Sequence, residues 1–285
     1  MFNKRLFLTK RRRRSNRFLN LKTLVESLNP VSGFSISRRF SSIVDKLIRV
    51  RRASDNSELD IGFKNKVLDT QALINFGGAS DCFVTTWYDQ IGSNHATQST
   101  ATNQPKIYDG VTRDVTRENG KPAMVFNGAG NHLSIPNVAG RSNIDVYFVN
   151  RHDDTSATAI DNEVYLYPTG NGAGNFGFVG MKNSTTGTLN SASYGSPSLY
   201  KNNLELFPAN RGEVYSLLGQ TQNIVNHRGA STSSWTEYQY GRYDSGQGVF
   251  HFEGTLQEII IFDNNLTPDN RQKLHDDIND HYGIF

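Results

Sequence analysis

The feature that most constrains the fold is a series of short apolar runs separated by turn-forming residues. Turn signals such as Asn127-Gly128, Asn171-Gly172 and Asp263-Asn264 lie between the runs. Many short strands with little helix between them predict an all-β fold, a two-sheet antiparallel β-sandwich of the jelly-roll type. The predicted strands are Phe83–Tyr88, Ala123–Phe126, Asp145–Asn150, Glu163–Tyr167, Phe176–Val179, Val214–Leu218, Trp235–Tyr240 and Val249–Phe262.

Two helices are predicted beside these strands. The first covers Asp69–Phe76. The second begins after Thr267, a natural N-cap, with Pro268 in the first turn, and ends at Gly283. Its apolar side chains recur every four residues, so it should pack on the sandwich after the final strand. They are Leu274, Ile278 and Tyr282.

The positive charge of the chain is concentrated at its N-terminus. Residues 1–33 hold nine of the 30 Lys and Arg residues but one of the 27 acidic residues, so residues 34–285 are net negative. We therefore predict a basic arm over residues 1–33 and a sandwich over residues 34–285. A short amphipathic helix is expected within the arm, because Phe18, Leu21, Leu24, Val25 and Leu28 have helical spacing.

Other classes of protein are disfavoured by the sequence. It has no run of 18 apolar residues, so no membrane span is expected. The apolar run Leu6–Leu8 is too short for a signal peptide. The single cysteine, Cys82, reads as a buried strand residue rather than a nucleophile.

A block of motifs between Phe34 and Asn137 resembles a known family. It includes Leu47-Ile-Arg49-Val-Arg51-Arg52, Trp87-Tyr88-Asp89-Gln90, Asn103-Gln104-Pro105 and Gly120-Lys-Pro122-Ala-Met-Val-Phe126-Asn-Gly128. The block is similar to the start of the α-L-arabinofuranosidase B catalytic domain, which implies a concanavalin A-like sandwich. Similar blocks occur in bacteriophage proteins. The later part, which ends in Gly254–Phe262 and a capped helix, resembles the wider laminin G-like class.

The resemblance implies a catalytic pair of carboxylates, and the sequence has a match for only one of them. Retaining glycoside hydrolysis needs two carboxyl groups about 5 Å apart, one of them a nucleophile. The family's acid/base position corresponds to Asp244. The stretch comparable to the nucleophile strand, Tyr215–Asn226, contains no Asp or Glu. We therefore predict a protein without glycosidase activity and keep an arabinofuranosidase-like hydrolase as the alternative.

Several side chains are candidates for binding a ligand. The carbohydrate-binding candidates are Trp87, Tyr88, Asp89, Trp235, Tyr238, Tyr240 and Asp244. Each of the aromatic residues could instead belong to the core. The arginines Arg49, Arg51 and Arg52 could bind an acidic ligand, or pair with carboxylates inside the sandwich. No cofactor is predicted, although Asp153-Asp154 would suit Ca²⁺.

These observations favour a structural protein of a phage-type virion, a spike, fibre or decoration subunit. The sandwich would face outward and bind host cell-surface glycans. The arm would contact capsid or other virion proteins, or packaged nucleic acid, within a homo-oligomeric or larger assembly. A free carbohydrate-binding module is the other non-enzymatic alternative. The predicted arm contacts are Lys10, Arg11, Arg12, Arg13, Arg14, Arg17, Leu21, Leu24 and Leu28.

Overall fold

A computed structural model describes most of the chain after residue 22. The described residues are 23–37, 39–40, 45–136, 138, 140–153, 164–166, 179–181, 185, 198–233, 238–244 and 249–285. Among them, no helix is both long and apolar enough to cross a membrane.

The described elements are mostly short strands. The first strands are β1 Ser32–Ser35, β2 Ile48–Arg52, β3 Glu58–Ile61, β4 Phe63–Lys64, β5 Val67–Leu68, β6 Cys82–Trp87, β7 Ala96–Thr97, β8 Lys106–Asp109, β9 Asp114–Val115, β10 Arg117–Glu118, β11 Lys121–Pro122 and β12 Met124–Asn127. The later strands are β13 Leu133–Ser134, β14 Ile144–His152, β15 Val164–Leu166, β16 Val179–Met181, β17 Ser198–Lys201, β18 Leu204–Leu206, β19 Asn223–Ala230, β20 Gln239–Tyr240, β21 Arg242–Asp244, β22 Val249–His251 and β23 Glu253–Phe262. The helices are α1 Leu24–Ser27, α2 Thr70–Gly77, α3 Arg211–Leu218 and α4 Pro268–Tyr282, with a 3-10 turn at Ala101–Asn103.

The larger strands form two antiparallel groups. One runs β18-β17-β19-β14-β23, with β1 and β12 both paired to the far edge of β23. The other runs β3-β2-β6, with β8 and β7 on the far edge of β6, and continues to β13 and β20. Among the described pairs, Val125 of β12 with Lys106 of β8 links the two groups. This arrangement confirms the predicted β-sandwich.

The main core lies between the two groups of strands. Trp87 and Val84 from β6 and Phe148 and Ile259 from β14 and β23 belong to one buried cluster. On β14 and β23 these side chains alternate with those of the opposite face, as the two-residue period of a strand requires, whereas on β6 a register shift next to Val84 allows both Val84 and Trp87 to point inward. The fold therefore separates a shared apolar interior from two outer faces.

A second core cluster lies under α4, on the other face of β14 and β23. Tyr147 and Ile260 point to this face, and Leu274, Ile278 and Tyr282 of α4 cover them. The predicted helix is confirmed. Thr267 caps its N-terminus, Pro268 lies in the first turn, and Gly283 adopts a left-handed conformation at its end. Because both faces of β14 and β23 are covered, these strands are almost continuously buried.

The chain joins the sandwich before the boundary predicted at Gly33. Strand β1 begins at Ser32 and pairs with β23. Val25 of α1 is fully buried in the cluster beneath α4, and Leu28 packs against that cluster. A capping box between Thr23 and Glu26 holds α1 in place. Leu24 and Leu28 are therefore partly buried parts of the body rather than a free anchoring stripe.

Some predicted elements differ from the structure. Val214–Leu218 was predicted as a strand but lies in α3, because the Asn210 side chain caps Glu213 N and Gly219 ends the helix. The run Val249–Phe262 divides at Phe252 into β22 and β23. Helix α2 begins at Thr70, with Asp69 as its N-cap.

Candidate ligand-binding groove

The register of four strands places a row of side chains on the outer face of the sheet. Arg51 of β2 lies opposite Phe83 of β6, Phe83 opposite Lys106 of β8, and Lys106 opposite Val125 of β12. The four side chains are partly exposed, and their neighbours Val50, Val84, Ile107 and Met124 are buried in the core. The row therefore forms a surface with one aromatic ring between two cations.

This row is the floor of an open groove of about 530 Å³. Its walls contain Asp81, Ala101, Thr102, Asn127 and Asn131. Asn131 is almost fully buried, and its Oδ1 accepts a hydrogen bond from Asn127 N at 3.0 Å. Its Nδ2 donates to Gln104 O at 3.0 Å. These bonds fix one wall of the groove, which combines a floor of two cationic and two apolar side chains with a polar rim.

Arg51 is held at one end of the groove by neutral acceptors. Its Nε donates to Gln104 Oε1 at 2.7 Å, and a terminal nitrogen donates to Asn56 Oδ1 at 2.9 Å. Gln104 is itself buried, and its Nε2 donates to Gln98 O at 3.0 Å. The guanidinium lies 5.3 Å from the centre of the Phe83 ring. Arg51 is therefore a positioned cation beside the aromatic floor.

Lys106 has a different environment. Its Nζ lies 2.8 Å from Asp109 Oδ2 and 3.6 Å from Asp81 Oδ2. Burial disfavours the charged amine, but its hydrogen bond with Asp109 and its attraction to both carboxylates outweigh burial and raise the pKa of Lys106. Lys106 therefore carries a positive charge, and the carboxylates of Asp81 and Asp109 neutralise it.

The flanking arginines of β2 are also paired with carboxylates. Arg49 Nε lies 2.7 Å from Asp60 Oδ1, and Arg52 lies 2.6 Å from Asp55 Oδ2. The expected pairing with carboxylates is confirmed for Arg49 and Arg52, but both pairs are partly exposed at the surface of the sandwich. Within the described part of the chain, Arg51 forms no ion pair.

The Trp87-Tyr88-Asp89 candidates have structural roles. Trp87 is fully buried, with its ring 5.6 Å from that of Phe34. Asp89 is also fully buried and accepts hydrogen bonds from Gly33 N and Ile91 N. Neither can touch a carbohydrate, so their prediction as carbohydrate-binding residues is wrong. Tyr88 is partly exposed outside the groove, and its hydroxyl donates to Asp60 Oδ1 at 2.7 Å.

Two of the carbohydrate-binding candidates, Tyr238 and Tyr240, are not exposed. Tyr238 and Tyr240 are both buried in the main core. The Tyr240 ring lies 5.4 Å from those of Phe126 and Phe252, and its hydroxyl accepts from Asn150 Nδ2 at 2.8 Å. Core packing explains both tyrosines, because each is nearly inaccessible to solvent.

Several predicted residues cannot be assessed from the described structure. Trp235 lies outside it, and so do Lys10, Arg11, Arg12, Arg13, Arg14, Arg17 and Leu21. Asp244 lies in β21 opposite Val249, but its side chain is outside the description. Of the predicted calcium pair, Asp154 is likewise outside, and Asp153 pairs with Arg151. Among the described residues, no cluster of three or more His, Cys, Asp or Glu side chains could hold a metal ion.

Two buried carboxylates lie away from the hairpin that carries Asp244. That hairpin precedes the Glu253 end of β23. Asp145 lies opposite Phe262, at the other end, about 30 Å along the strand at its usual rise per residue. Glu258 lies midway along β23 and accepts a hydrogen bond from Tyr282 beneath α4. Both carboxylates are engaged in other contacts, Asp145 with Leu266 N and Glu258 with Arg39.

The groove residues Phe83, Lys106, Asn127 and Asn131 were missed as candidates. Phe83 and Lys106 do occupy alternate positions beside core residues, which indicates an outward direction. Their alignment depends on the pairing of β6 with β8, which the sequence pattern does not specify. Asn131 joins the groove through a loop contact that has no local sequence signal.

Comparison with known proteins identifies the fold. No family model and no curated protein matches the sequence. A solved arabinofuranosidase, complexed with arabinofuranosyl-α-1,2-xylobiose, matches with a TM-score of 0.52 and 16% identity. Two structures of GH54 α-L-arabinofuranosidase, a mutant soaked with 4-nitrophenyl α-L-arabinofuranoside and one soaked with a cyclic sulfate inhibitor, have TM-scores of 0.46 and 0.47 at the same identity. The first of these matches shows that the chain has the sandwich fold of that arabinofuranosidase. Each match covers 90% of this chain but 64% of the other, so the chain spans less than two thirds of those chains.

Proposed function

We propose that this chain is a non-hydrolytic carbohydrate-binding protein whose glycan site is the groove over Phe83. The observation that carries the proposal is a partly exposed aromatic ring on the floor of an open groove with a polar rim. An aromatic face packs well against the apolar face of a sugar ring. The Asn127 amide and the Thr102 hydroxyl line the rim, where sugar hydroxyls would need hydrogen-bonding partners.

The fold and the carboxylates support the non-hydrolytic part of the proposal. The sandwich is of a type that also occurs in an arabinofuranosidase. However, the stretch Tyr215–Asn226 contains no carboxylate, and the buried Asp145 and Glu258 have other partners. A protein of this kind would bind a sugar chain without cleaving it.

Binding can be tested against a panel of soluble oligosaccharides by calorimetry. Truncation of a central aromatic contact should weaken binding at least tenfold, so Phe83→Ala should abolish measurable binding of a weak glycan ligand. Phe207→Ala is the matched control, because Phe207 is 83% exposed and follows β18 at the far edge of the sheet. Equal binding by both variants and the wild type would place the glycan site elsewhere.

Hydrolysis is tested separately with 4-nitrophenyl α-L-arabinofuranoside. We expect no release of nitrophenol above the buffer rate. Release that Asp244→Asn abolishes would replace this proposal with the hydrolase alternative.

We further propose that residues 1–22 attach the sandwich to a larger particle such as a phage-type virion. The support is the charge distribution, since these residues hold nine cations and no acid. Their target would be packaged nucleic acid or an acidic surface of a capsid protein.

The proposal is tested by measuring the binding of duplex DNA of fixed length. Replacing Arg11, Arg12, Arg13 and Arg14 with Ser should weaken binding and reduce its dependence on salt. If the variant binds like the wild type, these arginines do not contact the DNA.

A further inference from the structure

The three arginines of β2 differ in what neutralises them. Arg49 and Arg52 are each paired with a carboxylate, Asp60 and Asp55 respectively. Arg51 lies between them in the chain. Its guanidinium donates to amide and carbonyl oxygens instead. A guanidinium fixed by neutral acceptors keeps its full charge available for a ligand. On this strand, that arginine is also the one that lines the groove.

The hydrogen bonds of Arg51 leave some N–H groups of its guanidinium without an acceptor. Its Nε donates to Gln104, one terminal nitrogen donates to Asn56, and the other makes a long contact of 3.4 Å with Ala101 O. A guanidinium has five N–H donors, so two remain for a ligand. Two donors in one plane match the two oxygens of a carboxylate.

The charges of the groove are separated along its length. Asp81 and Asp109 lie at the Lys106 end, where both neutralise that amine. Further hydrogen bonds engage these carboxylates, from Gly110 N to Asp81 and from Val111 N to Asp109. Arg51 is two strands away from Lys106, about 10 Å at the usual strand spacing, with Phe83 between them. The Arg51 guanidinium leans over Phe83, 5.3 Å from the centre of its ring, so a substituent of a sugar that packs on the rest of Phe83 would lie against the guanidinium.

We propose that the groove selects acidic sugars, with a hexuronate ring on Phe83 and its carboxylate bound by Arg51. This inference rests on the proposed function but is narrower, because a carbohydrate-binding groove need not prefer acidic sugars. A planar carboxylate would accept hydrogen bonds from the two remaining N–H groups of the Arg51 guanidinium. A neutral hydroxymethyl group at the same place would leave the cation without a counter-charge.

The test compares an oligogalacturonate with its carboxyl-reduced, neutral counterpart by calorimetry at low salt. We expect the wild type to bind the acidic form at least tenfold more tightly, and the preference to fall as salt is added. Arg51→Gln should remove most of that preference, while Arg51→Lys should retain part of it, because an ammonium keeps the charge but not the fork. Arg52→Gln is the matched control on the same strand and should retain the full preference.

The outcomes separate this inference from the proposed function. If the wild type binds both oligosaccharides equally, and Phe83→Ala abolishes both, the groove binds carbohydrate but the acidic preference is wrong. A preference that survives Arg51→Gln would also overturn the inference. If an oligosaccharide that carries sulfate esters and no carboxylates binds more tightly than the uronate, Arg51 recognises sulfate and the carboxylate assignment fails. Binding of no sugar by the folded wild type would refute both proposals.

Discussion

The buried ion pair between Arg39 and Glu258 gives the sharpest test of how α4 is attached to the sandwich. Their side chains are 8% and 1% exposed, and Arg39 Nε lies 3.1 Å from Glu258 Oε2. A second Arg39 nitrogen reaches Asp277 of α4 at 2.6 Å. Glu258 also accepts hydrogen bonds from Ser35 and Tyr282. The network thus connects β1, β23 and α4.

Replacing Arg39 with Met should destabilise the protein strongly, because Glu258 would stay buried without a cation. Breaking a buried pair in this way costs about 3–5 kcal/mol. In urea, this corresponds to a midpoint lowered by roughly 1–2 M at an m-value near 3 kcal/mol/M. Arg52→Met is the control, since the pair with Asp55 lies at the surface, and it should change the midpoint little.

Two further measurements test whether the buried charge of Glu258 causes the loss of stability in Arg39→Met. Burial raises the pKa of Glu258, and loss of Arg39 would raise it further. The folded variant therefore takes up a proton more readily than the unfolded chain, so its loss of stability should shrink as the pH falls toward 4. The double variant Arg39→Met with Glu258→Leu should recover most of the lost stability, because no charge remains buried. The reasoning is refuted if Arg39→Met unfolds at the same urea concentration as Arg52→Met.

Two other predictions concern pH and the N-terminal boundary. Burial raises the pKa of Asp145 to about 6, above the unfolded value near 3.9, so its stabilising effect is complete below pH 4 and is lost as the pH rises through 6. This group should lower the free energy of unfolding by roughly 2 kcal/mol between pH 4 and 7. Asp145→Asn should flatten that decline in urea titrations, and an unchanged slope would contradict the assignment. Deletion of residues 1–22 should preserve the thermal unfolding midpoint, whereas deletion of residues 1–33 removes Val25 and half of β1 and should lower it by several degrees. Equal midpoints for the two deletions would show that α1 contributes nothing to the fold.

Local sequence determined the elements whose signals are complete within a few residues. The final helix is the best example, because Thr267, Pro268 and Gly283 mark its ends and its apolar face repeats every turn. The sandwich class also followed from the spacing of apolar runs and turns. Local signals were present but misassigned at α3, where the Asn210 cap and Gly219 define a helix over the predicted strand Val214–Leu218.

The tertiary structure alone decided which outward residues meet and which aromatic residues are buried. The sequence pattern cannot tell whether an aromatic residue on a strand faces the core or the solvent, so it predicts Tyr240 and Trp87 as ligand-binding candidates although both are buried. The groove depends on the pairing of Arg51, Phe83 and Lys106 across three strands. The start of the body was also set by distant contacts, those of Val25 with α4. Each of these features depends on residues far apart in the chain, and strand register and packing, rather than local propensity, bring such residues together.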